Sequence, residues 1–433
     1  MFRINGDRLM QRVQAIGAIG ALPSGGVRRL AFSPEDVEAR RQVCQWMEVA
    51  GMDVRLDAAG NIIGRYPGRF PTAPALATGS HLDTVPNAGI YDGTYGVLAG
   101  LEVVSTFHDS GIHLDHPIEV IVFADEERTM IGSKGMVGQA SLDPEFYAHP
   151  QYQPIQLGLH HAGGDWAMLP SARRQPEELA AFVELHVEQG PVLEAANAQI
   201  GLVTGIVGQR RYGITVEGRA SHAGTTPMDM RQDALVAAAQ IVLAINRIAN
   251  KSGQGYGEQV ATVGALQLSP NAVNTVPGLV EMSLDIRDLS NERLDAMLAS
   301  LEVEIDAIAT ATQTRIHLKL QLRNDPVPVN SHIYGAIAQV CEQLSLSTHA
   351  LPSRASHDAQ IIASMTDMGM IFVPSEGGLS HTPLEHTSAE SCIQGTNVLL
   401  HTLINLDQHY SYLRLEQDTS IHGGVRRSRT PQP

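Results

Sequence analysis

Gly79-Ser-His81-Leu-Asp83-Thr-Val85, a short polar spacer and then Tyr91-Asp92-Gly93 form the stretch whose reading decides the fold. Just before it, Ala75-Leu-Ala-Thr78 is short, apolar and entered from Pro74, as the end of a buried strand would be. Just after it, Val97, Leu101, Val104 and Phe107 recur at helical spacing. His81 and Asp92 therefore lie in the connection leaving the carboxyl end of a strand, where open α/β sheets place their ligands. An imidazole and a carboxylate brought together there suit a borderline divalent ion such as zinc. Asp83 is spaced to accept the other ring N–H of His81 and fix its tautomer. On its own, the motif reads equally as a polar turn with a hydrogen-bonded histidine.

Outward from this motif, Ile118-Glu-Val-Ile-Val-Phe-Ala124 is a mostly apolar run that suits a central strand, and it ends in Asp125-Glu126-Glu127. Ala181-Phe-Val-Glu-Leu-His186 is strand-like too, and Met370-Ile-Phe-Val373 is another apolar strand. Ser33-Pro34-Glu35-Asp36 starts a helix, with Pro in the first turn and acids on its amino-terminal dipole, and Gly51 caps its end. Residues 139–178, rich in Pro, Gln, Gly and Tyr, read as a long loop that covers a site or borders a partner. Helices are expected near 331–345, 357–365 and 388–406, and residues 415–433 are expected to be disordered.

Between residues 206 and 322 the pattern changes. Val280, Met282, Leu284 and Ile286 alternate strictly with Glu281, Ser283, Asp285 and Arg287. Ile316, Leu318 and Leu320 repeat the device, which marks strands with one wet face and hence an antiparallel sheet. Helices near 231–250 and 291–312 separate these strands, the second carrying Leu294, Leu298, Leu301, Ile305 and Ile308 along one stripe. The expected organisation is an α/β catalytic domain, 1–206 and 323–414, interrupted by an α+β sandwich at 207–322.

Composition sets outer bounds. A chain of 433 residues exceeds one ordinary core. Its 43% apolar and 18% charged residues are ordinary for a soluble enzyme. A net charge of −16 argues against nucleic acid or an anionic membrane as partner. The three scattered cysteines argue for a reducing compartment and against a thiolate metal cluster. The first residues show no apolar leader, and no segment is apolar enough to span a membrane, so a cytoplasmic enzyme is expected.

Glu126-Glu127 and His186 close strands as His81 does, and His381 follows the 370–373 strand and a Glu376-Gly-Gly loop. Each alone reads as readily as a solvated strand-end residue. Together, His81, Asp92, Glu127, His186 and His381 would supply two ions with Asp92 bridging, leaving Glu126 as general base. Two ions ~3.5–4 Å apart polarise a carbonyl and deprotonate a shared water.

These motifs resemble the zinc-peptidase-like M20 amidohydrolases, specifically the hydantoinase/carbamoylase branch. The resemblance extends through Glu184-Leu-His-Val-Glu-Gln-Gly190, Val207-Gly-Gln-Arg-Arg-Tyr212, Ser221-His-Ala-Gly-Thr-Thr-Pro-Met228, Pro270-Asn-Ala-Val-Asn-Thr-Val-Pro-Gly278, His357-Asp-Ala-Gln360 and Ser380-His-Thr-Pro383. It spans nearly the whole chain in family order. It implies a zinc-peptidase-like catalytic domain with an inserted ferredoxin-like dimerisation and lid domain. It further implies two divalent ions per subunit (Zn²⁺, Mn²⁺ or Co²⁺) held by the five ligands named, with Glu126 as base. His222 would stabilise the oxyanion in the partner subunit's site of a homodimer. Asn274 and Arg287 would bind the substrate carboxylate, with Gln189 and Gln209 at the carbamoyl or ureido end. The implied reaction is hydrolysis of a linear C–N bond in a ureido or N-carbamoyl acid. Allantoate is the first choice, from the 208–212 and 222–228 stretches, followed by an N-carbamoyl-L-amino acid or a β-ureido acid; a peptidase or deacylase of the same family is a more distant alternative. Two departures bear on the pocket: the short segment Arg128-Thr-Met-Ile-Gly-Ser-Lys134, and Ser356 where the family often has glycine.

Overall fold

Four parallel strands carry the site: Ile118–Phe123, Ala75–His81, Leu179–Val187 and Asp367–Val373, adjacent in that order. All four are buried nearly end to end, as strands covered on both faces must be. The sheet continues antiparallel at both sides, through Ile62–Tyr66 and Asp53–Leu56 beyond 118–123 and through Ile200–Ile206 beyond 367–373. This computed structural model describes residues 2–251 and 259–423. No described helix is long and apolar enough to cross a membrane.

The described residues fall into two compact units. The larger comprises Met1–Thr204, Val329–Leu351 and His357 onward; the smaller comprises Gly205–Pro328 and Pro352–Ser356. The chain re-enters the larger unit at Val329, just after the short strand Val327–Pro328, which pairs with Ile206 and Gly205 at the end of the nine-stranded sheet. In the larger unit the helix Thr94–Ser110 is buried along almost its whole length against the sheet. Gly93 caps its start at φ 62°, a conformation that disfavours a β-carbon, and a β-carbon there would strike the His81 ring.

Two expectations are corrected. Residues 139–178 are not a structureless loop. They hold short helices at Pro144–Tyr147, Ile155–His161, Trp166–Ala172 and Pro176–Glu178, whose Tyr147, Ile155, Leu159 and Leu169 build a satellite core with Phe32 and Ile131. Each is too short for periodicity to register, although Asp143 and Asp165 accept the backbone N–H bonds of N-caps. The helix Ala389–Gly423 also runs through the first part of the segment expected to be disordered. No Pro or Gly interrupts 396–422, whereas the composition behind that expectation sits in residues 424–433, outside the described residues.

In the smaller unit Leu266–Ser269, Leu279–Asp288, Gly208–Glu217 and Arg315–Asn324 form an antiparallel sheet in that order. The helices Ala234–Lys251 and Asn291–Thr312 bury Ile241, Ile245, Leu294 and Leu301 against Ile214, Val216, Leu284 and Ile286. The opposite, odd-numbered residues of 279–288 remain part-exposed, so one face of the sheet stays wet. A separate two-stranded ladder pairs His222 with Thr275.

Candidate active site

The carboxyl ends of the four parallel strands bring the candidate ligands together. His81 ends its strand and is 2% exposed. Its Nδ1 lies 2.9 Å from the backbone carbonyl of Asp83. A carbonyl only accepts, so Nδ1 carries the proton and the Nε2 lone pair faces Asp92 at 4.0 Å and Glu126 at 3.7 Å. His186 repeats the device: Nδ1 donates to the Val187 carbonyl at 2.9 Å, and Nε2 stands 3.3 Å from Asp92. His381 Nε2 is 3.1 Å from the other oxygen of Asp92 and 3.7 Å from Glu127. Asp92 is thus shared by two three-residue groups of metal-ligand type, His81–Asp92–His186 and Asp92–Glu127–His381. A third such group, Glu184–His186–His357, lies behind His186.

Asp83 is where the structure departs from expectation. Its carboxylate is 3.8 Å from His81 Nδ1, too far for a hydrogen bond, and it accepts from the backbone N–H groups of Glu126 and Glu127 at 3.4 and 3.2 Å. The tautomer of His81 is set by the Asp83 carbonyl, while the Asp83 side chain fixes the turn that presents both glutamates. That turn is tight. Asp125 sits at φ 57°, its carbonyl accepts from Thr129 and Met130, and its carboxylate takes Arg128 and Thr129. The short 128–134 segment is therefore this turn plus the start of the helix Ile131–Val137.

The electrostatics call for positive charge. Burial, followed by the neighbouring carboxylates, pushes Glu126 well above the usual carboxylate range and Glu127 to about 8. Burial holds His81 down to about 4, against the pull of Asp92. The hydrogen bond to Asp92 lifts His381 to about 9. Burial works against ionisation of Asp92, yet the bond from His381 and the fields of His186 and His81 hold it below the carboxylate range. Glu127 Oε1 is buried without a hydrogen-bond partner. The unprotonated Nε2 atoms of His81 and His186, the crowded carboxylates and an orphaned carboxylate oxygen fit divalent cations.

Several positioning groups carried no signal in the sequence. Glu385 accepts from the backbone of Tyr91 and Asp92 at 3.1 and 3.3 Å and from the Ser380 hydroxyl at 3.2 Å, joining the loops of Asp92 and His381. Arg29 is fully buried and donates to Leu82, Ile16 and Ile19 carbonyls and to Thr94 Oγ1. It clamps the His81 loop to the start of the 94–110 helix. Gln189, at φ 60°, donates its amide to both oxygens of Asp92 at 3.1 and 3.0 Å. In this structure it is a neighbour of the Asp92 carboxylate.

His222, Gln209, Asn274, Arg287 and Ser356 belong to the smaller unit. His222 is exposed, and its Nδ1 accepts from the backbone of Gly224 and Thr225 at 3.0 and 3.3 Å. A neutral His222 therefore carries its proton on Nε2, as an outward donor. Ala223 N donates to the Asn274 carbonyl at 2.9 Å, which sets His222 and Asn274 side by side. Gln209 and Arg287 face each other across the 208–217/279–288 ladder, and Arg287 donates to the Arg354 carbonyl at 2.6 Å. Ser356, two residues on from Arg354, is half-buried.

The family model for peptidase family M20/M25/M40 matches residues 77–405. An N-carbamoyl-L-amino acid amidohydrolase of Geobacillus stearothermophilus is 42% identical, over 94% of this chain and 99% of its own length. An allantoate amidohydrolase of Bacillus subtilis is 34% identical, over 91% and 96%. Among solved structures, a hydantoinase/carbamoylase-family amidase from Burkholderia multivorans aligns with a TM-score of 0.87 at 35% identity, over 94% of this chain and 98% of that one. Motifs, strand-end ligands and relatives agree: the chain belongs to peptidase family M20/M25/M40, in its hydantoinase/carbamoylase branch of amidohydrolases acting on non-peptide C–N bonds.

Proposed function

We propose that this chain hydrolyses N-carbamoyl-L-amino acids, releasing the amino acid, ammonia and carbon dioxide, with two divalent ions per subunit. The observation that carries the proposal is the sharing of Asp92 between the His81–His186 pair and the Glu127–His381 pair. The 42% identity to an N-carbamoyl-L-amino acid amidohydrolase puts that substrate first. Allantoate is the second reading, favoured by the 208–212 and 222–228 stretches.

The residues would divide the work as follows. His81, Asp92 and His186 would hold one ion, and Asp92, Glu127 and His381 the other; Zn²⁺, Mn²⁺ and Co²⁺ all suit such donors. Bound ions would polarise the substrate carbonyl and acidify a water between them. Glu126 would take a proton from the attacking water and return it to the leaving nitrogen. His222 donates Nε2–H to the oxyanion of the tetrahedral intermediate. Arg287 and Asn274 bind the substrate carboxylate, Gln209 the ureido end, and Ser356 backbone beside them. We assign the smaller unit to dimerisation and to a lid, with His222 serving the partner subunit's site. We place the enzyme in the cytoplasm, consistent with Cys44, Cys341 and Cys392 being free thiols.

The test is ammonia release from N-carbamoyl-L-amino acids, allantoate and N-carbamoyl-β-alanine by apo-protein reloaded with Mn²⁺ or Zn²⁺. Metal-dependent turnover, fastest with an N-carbamoyl-L-amino acid, is expected; cleavage of dipeptides alone would overturn the proposal. Mixing Glu126→Gln subunits with His222→Ala subunits restores turnover at one of the two sites in each mixed dimer. No recovery would contradict the shared site.

A further inference from the structure

On the wet face of the smaller sheet, four polar side chains form a square that nothing in the fold requires. Asp285 and Arg287 are two residues apart on the 279–288 strand and so share a face. Register sets Arg211 directly opposite Asp285 and Gln209 directly opposite Arg287. Asp285 is the hub. One oxygen accepts from Arg287 Nε at 2.9 Å. The other accepts from the Gln209 amide, from Arg211 Nη2 at 3.3 Å and, more loosely, from Arg287 Nη2 at 3.5 Å. Arg287 Nη1 is held separately by the Arg354 carbonyl at 2.6 Å.

This wiring has chemical consequences for the two residues proposed to hold substrate. An ionised carboxylate only accepts, so the Gln209 amide must turn its NH₂ to Asp285 and its Oε1 away. Oε1 is then an acceptor presented to whatever binds beside it. The Arg287 guanidinium is anchored along its Nε edge by Asp285 and at Nη1 by a carbonyl, so its plane is fixed and the hydrogens of its far edge remain for an anion. An acceptor and a cation on directly opposed positions of an antiparallel ladder stand ~5 Å apart at their β-carbons. The arrangement matches a ligand in which an N–H and a carboxylate leave the same carbon.

We infer that Asp285 is a positioning residue that sets Gln209 and Arg287 to receive an α-ureido acid, one carrying its ureido N–H and its carboxylate on a single carbon. This rests on the proposed function and deepens it: it selects α- over β-ureido acids and assigns the selection to a carboxylate that does not touch the substrate. The bonds from Arg287, Gln209 and Arg211 outweigh burial and hold Asp285 below the usual carboxylate range, so it stays an acceptor across the neutral range.

The experiment uses the full-length, metal-loaded protein. Asp285→Asn keeps the shape but offers an NH₂ as well as an oxygen, which frees the Gln209 amide to flip and weakens the hold on Arg287. Loss of a hydrogen bond to a charged group corresponds to about a 10- to 100-fold loss in binding. The expected result is a KM for an N-carbamoyl-L-amino acid raised about tenfold or more, kcat changed less than threefold, unchanged metal content, and loss of the preference over N-carbamoyl-β-alanine. Asp285→Glu, still purely an acceptor, recovers part of the KM. Should Asp285→Asn fail to fold, Gln209→Glu, which cannot donate to Asp285, is expected to raise KM similarly. A KM within twofold of the unsubstituted protein, or a loss confined to kcat or to metal, would overturn the inference. Calorimetry with the same ligand separates it from the functional proposal. Binding without turnover, weakened tenfold by Asp285→Asn, would retain the inference and sink the function; an equal Kd, or no binding at all, would sink the inference.

Discussion

At the ends of the 75–81 and 179–187 strands, the imidazoles of His81 and His186 are almost fully buried and steered by backbone carbonyls. On the face of the 279–288 ladder, Asp285 and Arg287 are part-exposed and steer one another. The difference follows from solvent. In the buried centre an unpaired charge costs several kcal/mol, and the His81 and His186 rings are each tied to a backbone carbonyl. Asp83 holds two backbone N–H groups, Glu385 holds two more, and Gly93 leaves space for an imidazole. On the wet face, Asp285, Gln209, Arg211 and Arg287 are ordered mainly by one another, with a single main-chain anchor at the Arg354 carbonyl, and individual exposed pairs contribute ~1 kcal/mol or less. A rigid centre suits metal and chemistry. An adjustable one suits the part that distinguishes substrates.

The sharpest way to break this contrast is at Glu126. Glu126→Gln keeps size and the backbone bond to Asp83, and should retain metal and substrate binding while turnover falls roughly a thousandfold. A kcat within tenfold of the unsubstituted protein would remove Glu126 from the base role. Next in size is Glu385→Gln, which halves the acceptor capacity that ties the Asp92 loop to Ser380. A support of this kind is worth about 10- to 100-fold in metal affinity, so competition with a chelator should show that loss with KM little changed. Equal affinity would mean that the centre is held without Glu385.

The smallest effect lies outside both regions and calibrates them. Asp407 accepts from His116 Nδ1 at 2.9 Å and from the backbone of Asp115 and His116. Burial opposes its ionisation, but these bonds prevail and hold it below the usual carboxylate range. A carboxyl depressed by folding stabilises the native state above its unfolded pKa of ~4 and loses that contribution as pH falls through the lower folded value. Asp407 is buried, and hydrogen bonds of this kind contribute about 1 kcal/mol net. Asp407→Asn should lower Tm by about 2–4 °C at pH 7, a deficit that shrinks as pH falls below ~4 and is gone below the folded value. A deficit constant with pH would assign the effect to packing.

Much of both regions was legible in sequence, for different reasons. The candidate ligands lie at or just beyond the ends of apolar runs, where position in a parallel sheet already points to a site. The wet face was legible because Glu281, Ser283, Asp285 and Arg287 alternate with apolar residues. What stayed hidden depends on contacts distant in sequence or on main-chain atoms. Glu385 acts on Asp92 from 293 residues away. Arg29 sits in an unremarkable Val27-Arg-Arg-Leu30, yet is fully buried among carbonyls. The Asp83 carbonyl replaces its carboxylate at His81, a choice that composition cannot reveal. The helices of 144–178 are each under two turns or of tight 3₁₀ type, so the period that identifies longer helices never accumulates.

The central claim, that Asp92 joins two ligand pairs into a two-ion centre, is tested most directly by counting metal. Elemental analysis of protein purified without chelators, or of apo-protein reloaded with Mn²⁺ or Zn²⁺, should give two ions per chain, and Asp92→Asn should lose both at the same free-metal concentration. One ion in the unsubstituted chain, or two retained after Asp92→Asn, would contradict the shared carboxylate.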